Sequence, residues 1–194
     1  SGKAGLAQGV FSFTGPADIA SDDPRLLLRW LDGREDQIPG GPGKPMRLRA
    51  DVSLGADKVA LERLKAEVDR KTVDGRLVYL WPSDTRKARL DAELNAAELD
   101  LDSVLDFAQG ALGGGKFDRP GEVSLAIDIG RATIAGIEAR KANARLTFDP
   151  EGLTVERLSF GEFGGVSLDA RGRISMAAAS PRGSLSVDLD ARDL

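Results

Sequence analysis

Three groups of residues have types and spacing that could do chemistry. Gly110-Ala-Leu-Gly-Gly-Gly115-Lys116-Phe117 nearly matches a phosphate-binding loop. In such a loop, backbone N–H groups and a Lys hold phosphates while a Ser or Thr hydroxyl holds magnesium. Here Phe117 stands where the hydroxyl is needed. The stretch also closes a predicted helix and precedes a strand, the reverse of the order that puts phosphate at a helix N-terminus. It reads as a linker. Asp100, Asp102 and Asp106 could suggest a cation site, but the fixed ligand offsets, turn Gly and distal Glu of a calcium loop are missing. Asp102 reads instead as a helix N-cap and the other two as solvated. Asp188 and Asp190 alternate with Val187 and Leu189, so they lie on the outer face of a strand, whereas the paired carboxylates of a glycosidase converge in a cleft.

The chain has no Cys and no His. Disulfides, thiolate catalysis and Cys-based zinc sites are thereby excluded, and the commonest general base and metal ligand are missing. The reading is a protein that is not an enzyme, with no catalytic residue, metal ligand or cofactor. Trp30 and Trp81 read as packing residues.

Its 194 residues are 41% hydrophobic and 30% charged, with aromatics at 5% and a net charge of −4. Acidic and basic residues are interspersed, which argues against the basic stripe of a nucleic-acid binder and against a polybasic membrane patch. No apolar run approaches the roughly 20 residues of a spanning helix. The chain opens Ser1-Gly2-Lys3 with no signal-peptide pattern. It is expected to be a section of a longer protein, with membrane contact only through segments outside it.

These residues must be positioned mainly by strands. Val10 to Phe13 predicts a short strand ended by Gly15-Pro16. Asp23 as N-cap, Pro24 at the first position and Gly33 as stop predict a short helix. Ile38 to Pro45 is a loop by composition. From Met46 the apolar period becomes two. Strands are predicted at Met46–Leu54, Val59–Val68, Val73–Leu80 and Ala88–Leu94, with a bulge where Leu61 steps to Leu64. Leu101, Val104, Leu105, Ala108, Ala111 and Leu112 fall at helical spacing and predict a second helix, stopped by Gly113-Gly-Gly115. Strands then resume at Val123–Ile129, Ala142–Phe148, Leu153–Phe160, Val166–Met176 and Leu185–Leu189, with the same parity break between Val155 and Leu158.

The two runs of strands repeat one another about 94–97 positions apart. Ala50, Val52 and Leu54 answer to Ala144, Leu146 and Phe148. Leu61-Glu-Arg-Leu64 answers to Val155-Glu-Arg-Leu158, and Asp74-Gly-Arg-Leu77 to Arg171-Gly-Arg-Ile174. Leu90, Leu94 and Leu99 answer to Leu185, Leu189 and Leu194. Short loops make neighbours antiparallel. The expected fold is mainly β: a long curled antiparallel β-meander of roughly ten to twelve strands, as a groove, gutter or open sandwich, with two short α-helices. Its parts would be residues 1–45 (the end of a preceding repeat, with a helix and a Pro/Gly-rich loop), 46–115 (a β-repeat with a terminal helix) and 116–194 (a second repeat, truncated before its helix).

Ala139-Arg-Lys-Ala-Asn-Ala-Arg-Leu146-Thr-Phe-Asp149, Gly152-Leu-Thr-Val-Glu-Arg-Leu158, Gly164-Gly-Val-Ser-Leu-Asp-Ala170-Arg-Gly172 and Leu99-Asp-Leu-Asp102 resemble the AsmA-like family of Gram-negative bacteria. The resemblance rests on order and spacing over nearly the whole chain and is weakest before Met46. It implies a periplasmic segment of an inner-membrane-anchored protein of outer-membrane biogenesis. It further implies kinship with bridge-like lipid-transfer proteins, whose stacked β units form an apolar groove for phospholipid tails. The expected partners are a phospholipid or other acyl-chain lipid, and envelope proteins.

Two short helices cannot cover ten or so strands, so the apolar face either closes on itself or forms a gutter for a ligand. The candidate groove residues are Val123, Leu125, Ile127, Ile129, Leu146, Phe148, Leu153, Val155, Val166, Leu168, Leu185, Val187 and Leu189. Phe160 and Phe163 could line the same path. The alternative is a structural or protein-interaction β module in outer-membrane assembly, with a closed core.

Overall fold

The computed structural model describes residues 2–7, 10–22, 45–68, 70–102, 120–175 and 182–191. The alternating stretches form eleven strands: β1 (Lys3–Ala7), β2 (Val10–Ser21), β3 (Met46–Leu54), β4 (Lys58–Val68), β5 (Lys71–Leu80), β6 (Arg89–Asp100), β7 (Glu122–Ile134), β8 (Ile137–Asp149), β9 (Gly152–Phe163), β10 (Val166–Ser175) and β11 (Arg182–Ala191). They lie side by side in chain order in one sheet, which is open, with β1 and β11 as its edges.

The sheet is mixed rather than purely antiparallel. β6 and β7 run parallel, with Ala92 opposite Leu125, while the other neighbours are antiparallel. Residues 101–121 separate these two strands and are long enough to return the chain to the end from which β6 began, which a parallel pair requires. Tight turns join most of the others. Ala135 and Gly136 both take positive φ, as a two-residue hairpin turn between β7 and β8 demands. Before β9 the Asp149 carboxylate accepts the amides of Glu151 and Gly152 at 2.7 and 3.0 Å, folding Asp149-Pro-Glu-Gly152 into an Asx turn.

The two predicted helices are not found among the described residues. The first, at 23–33, lies outside them. Of the second, only Leu101 and Asp102 are described, both in helical conformation. Asp100 rather than Asp102 takes the capping position, accepting the Asp102 amide at 3.1 Å. Asp102 instead accepts the Ala135 amide at 2.8 Å and so ties the end of β6 to the β7–β8 turn.

Two further features depart from the sequence reading. β1 carries too few residues to show a period, yet it pairs with β2 from Val10 to Thr14. β2 also continues through Gly15-Pro16 to Ser21. Pro16 lies two residues past Thr14, the last residue that β1 pairs, where β2 has no strand on its outer side among the described residues and a missing N–H is tolerated.

The repeat is present in three dimensions, but its register differs from the sequence match. Val52, Leu61, Leu77 and Ala92 stand in one cross-strand row, and Leu146, Val155, Gly172 and Leu185 form the corresponding row. Gly172 therefore takes the place of Leu77, two residues away from the place of Gly75. Both glycines admit a close approach: a Cβ on Gly75 would collide with the Glu93 carbonyl oxygen, and one on Gly172 with that of Ser184. The bulges at Leu61/Leu64 and at Val155/Leu158 are both present as register shifts.

Candidate functional site

Side chains directly opposite one another in a sheet share a face. From β2 to β11 one row reads Gly15, Val52, Leu61, Leu77, Ala92, Leu125, Leu146, Val155, Gly172 and Leu185. It is apolar throughout. A row on the opposite face reads Asp18, Arg49, Lys65, Asp74, Asn95, Asp128, Asn143, Ser159, Asp169 and Asp188. It is polar throughout. Period-two alternation within each strand, held in register by every pairing, gives one molecule-wide apolar face and one molecule-wide charged face.

All the candidate groove residues lie on the apolar face. Val123, Phe148 and Leu153 share one row, and Leu125, Leu146, Val155 and Leu185 the next. Ile127 and Val187 belong to a third row through Ala144, Leu158 and Ala170. Ile129 lies opposite Ala142, Leu168 opposite Leu189, and Val166 opposite Phe163. Their exposure divides them. Ile129 and Val155, at 4% and 7% exposed, are floor residues, whereas Phe148 at 43% and Leu189 at 65% are open. Among the described residues no large side chain is completely buried, so no second layer of these strands closes over the face.

The candidate list omits the first half of the same surface. Leu48, Val52, Leu54, Leu61, Val73, Leu77, Leu90 and Leu94 continue it, and their own period-two pattern is the signal that places them there.

A second feature is a kink shared by four strands. The apolar step changes from two to three residues at Ala96/Leu99, Ile129/Ala132, Ala142/Ala139 and Phe160/Phe163. Ile129, Ala132, Ala139 and Ala142 nevertheless form one buried cluster, with Leu99, Phe160 and Phe163 packed against it. The Phe160 and Phe163 rings lie 5.6 Å apart. A straight strand would send residues three apart to opposite faces. The kink keeps them together, and Lys141 at φ 52° marks it on β8.

Displaced by the kink, Ala97, Gly130 and Lys141 join Asp74, Asn95, Asp128, Asn143, Arg157 and Ser159 around a concavity of about 580 Å³ on the charged side. Of its two carboxylates, Asp74 and Asp128, the latter is engaged by Arg145 at 2.8 Å and by the Asn143 amide. The charged face is laced with such pairs. Arg47 and Arg49 approach Asp18 at 2.7 and 3.1 Å, and the Arg47 hydrogen bond is the main cause that lowers the Asp18 carboxyl to about 2. Arg140 at 2.9 Å likewise holds Glu138 below the usual carboxylate range. Arg89 bridges Asp91 at 2.9 Å and Glu122 at 2.7 Å, linking β6 to β7. Exposed pairs of this kind each contribute little to stability. Together they keep this face in water and leave the other as the surface to be covered. Trp81 packs edge-on against Tyr79 at 4.9 Å, while Trp30 lies outside the described residues.

Among the described residues no group of three acidic or thiol side chains could hold a metal ion. No protein-family model, curated protein or solved structure matches the chain.

Proposed function

We propose that this chain is a non-catalytic periplasmic segment of an AsmA-like, inner-membrane-anchored protein of envelope biogenesis. In this reading the sheet curls so that its apolar face becomes a groove, which binds or conducts phospholipid acyl chains between the inner and outer membranes.

The observation that supports it is the apolar face that runs from β2 to β11 without a second layer among the described residues. Exposed apolar surface beyond a few hundred Å² marks a place where something binds. An acyl chain suits a long, mostly aliphatic surface, because each buried methylene contributes about 0.8 kcal/mol without requiring a directional partner. The charged face opposite keeps the loaded segment in water. The closed-core alternative requires a covering layer that the described strands do not form.

Denaturing mass spectrometry of gently purified protein tests the reading. Phospholipid is expected in the wild type. It should be lost from Phe148→Arg and Leu189→Arg, which place a charge on open positions of the face and leave the circular dichroism of the sheet unchanged. Wild-type protein free of lipid, and unable to take up a fluorescent phospholipid from vesicles, overturns it.

A further inference from the structure

The two repeats differ on the charged face at one level of the sheet. Asp18, Arg49 and Lys65 stand side by side on β2, β3 and β4. Asp128, Asn143 and Ser159 hold the corresponding places on β7, β8 and β9. Two long cations of the first repeat thus give way to a short amide and a short hydroxyl in the second. The hollow left in the first repeat is about 420 Å³, and its carboxylates Asp18 and Asp51 are taken by Arg49 and Arg63. The hollow in the second is about 580 Å³ and extends over Asp74 and Asn95 of β5 and β6.

The polar groups of this larger hollow do not use one another up. Ser159 lines it at 7% exposed, yet makes no hydrogen bond among the described residues. A hydroxyl so withdrawn from water is costly unless something bonds it. Asp74, Asn95 and Lys141 form no hydrogen bond or ion pair among the described residues either, and Arg157 reaches only Asp169, at 3.9 Å. Lys141 is aimed into the hollow at a backbone cost, since its φ of 52° is unfavourable for a side chain of its kind. Its stem runs over Gly161, where a Cβ would stand 3.2 Å from the Lys141 Cβ and Cδ. Irregularities that re-aim a side chain in this way recur beside functional sites.

We propose that this hollow binds a small sugar or other polyol that carries one anionic group, a phosphate or a carboxylate. Lys141 and Arg157 supply the positive charge that holds the anion. Asp74, Asn95 and Ser159 meet the hydroxyls, for which a carboxylate, an amide and a hydroxyl offer both donors and acceptors. Asp128 is neutralised by Arg145, so the charges left to a ligand are two cations against the Asp74 carboxylate, which suits a single anionic group. The volume is in the range of small-molecule sites. The hollow lies on the face opposite the apolar one, so this binding stands or falls separately from the groove reading.

Glucuronate and glycerol phosphate are the probes, with glucose and inorganic phosphate as comparisons, all added to the whole chain. At least one probe should shift the NMR signals of the Asn95 and Asn143 side-chain amides saturably, and should bind more tightly than either comparison. Lys141→Asn keeps a residue that tolerates positive φ. It and Arg157→Gln should each weaken that binding about tenfold, as loss of a charge-assisted hydrogen bond does. Asn143→Arg copies Arg49 of the first repeat and should fill the hollow and abolish binding. Phe148→Arg, on the apolar face, should leave binding unchanged. All these variants should keep the sheet's circular dichroism. Absence of saturable shifts with both probes overturns the proposal. So does equal affinity for glucose or inorganic phosphate, binding that survives Lys141→Asn and Asn143→Arg undiminished, or binding lost in Phe148→Arg instead.

Discussion

At the scale of residues, the informative side chains are those whose contacts are already fixed. Asp18 sits between Arg47 and Arg49, and the fold holds its carboxyl below the ordinary value, at about 2. Because the folded value is depressed, the contribution of this pair is complete above the ordinary carboxyl value and is lost as pH falls toward about 2. Carboxyl NMR should therefore find the Asp18 midpoint near about 2, and Arg47→Ala should return it toward 3.8; an unmoved midpoint in that variant counts against the pairing. Gly75 makes a steric case. Its missing Cβ leaves room for the Glu93 carbonyl, so Gly75→Ala should destabilise the sheet by about 1–3 kcal/mol in urea unfolding. Gly5→Ala would meet only the Ser12 hydroxyl and should change little. Equal effects at the two sites would mean that β5 and β6 do not approach as closely as described.

At the scale of elements, burial is concentrated where β6 to β9 kink together and fades toward both edges. Ile129, Ala132, Ala139 and Ala142 are buried there, whereas every residue of β11 is exposed. Ile129→Ala should cost about 2–5 kcal/mol, as large-to-small changes in a packed cluster do. Leu189→Ala should stay within about 0.5 kcal/mol, as surface changes do. Chemical denaturation of the two variants side by side checks this, and a Leu189→Ala cost comparable to that of Ile129→Ala would place a covering layer over β11. The sequence reading found strands β3 to β11 because each is long enough to show its period. It found the bulges at Leu61/Leu64 and Val155/Leu158 because the parity of their apolar residues breaks. It did not connect the breaks at Ala96/Leu99, Ile129/Ala132, Ala142/Ala139 and Phe160/Phe163, because their alignment exists only once the four strands are in register.

At the scale of the whole molecule, two unlike faces divide the sheet. A surface of this kind gains stability from whatever covers it. A ligand that binds only the folded state adds about 2.7 kcal/mol when present at a hundredfold excess over its dissociation constant. On the lipid-groove proposal, protein loaded with phospholipid should thus melt higher than lipid-free protein, which should bind a hydrophobic dye that loading displaces. A melting temperature indifferent to phospholipid would argue that the apolar face is not where lipid goes.

The amino-acid sequence by itself determined the side on which each residue lies within its own strand, since the pleat repeats every two residues and the apolar positions follow that period. It also determined that the unit occurs twice, and that Cys and His chemistry is absent. Only the tertiary structure decided which strands are neighbours and in which direction they run. The parallel pairing of β6 with β7 depends on the end from which β7 enters the sheet, which local periodicity does not encode. The register between the repeats was decided there too: Gly172 took the place of Leu77, because backbone pairing is set by bulges and close approaches between strands rather than by the likeness of two short words in the chain. Alternation within a strand is local, whereas the joining of eleven alternations into one apolar face is a property of the pairings between strands.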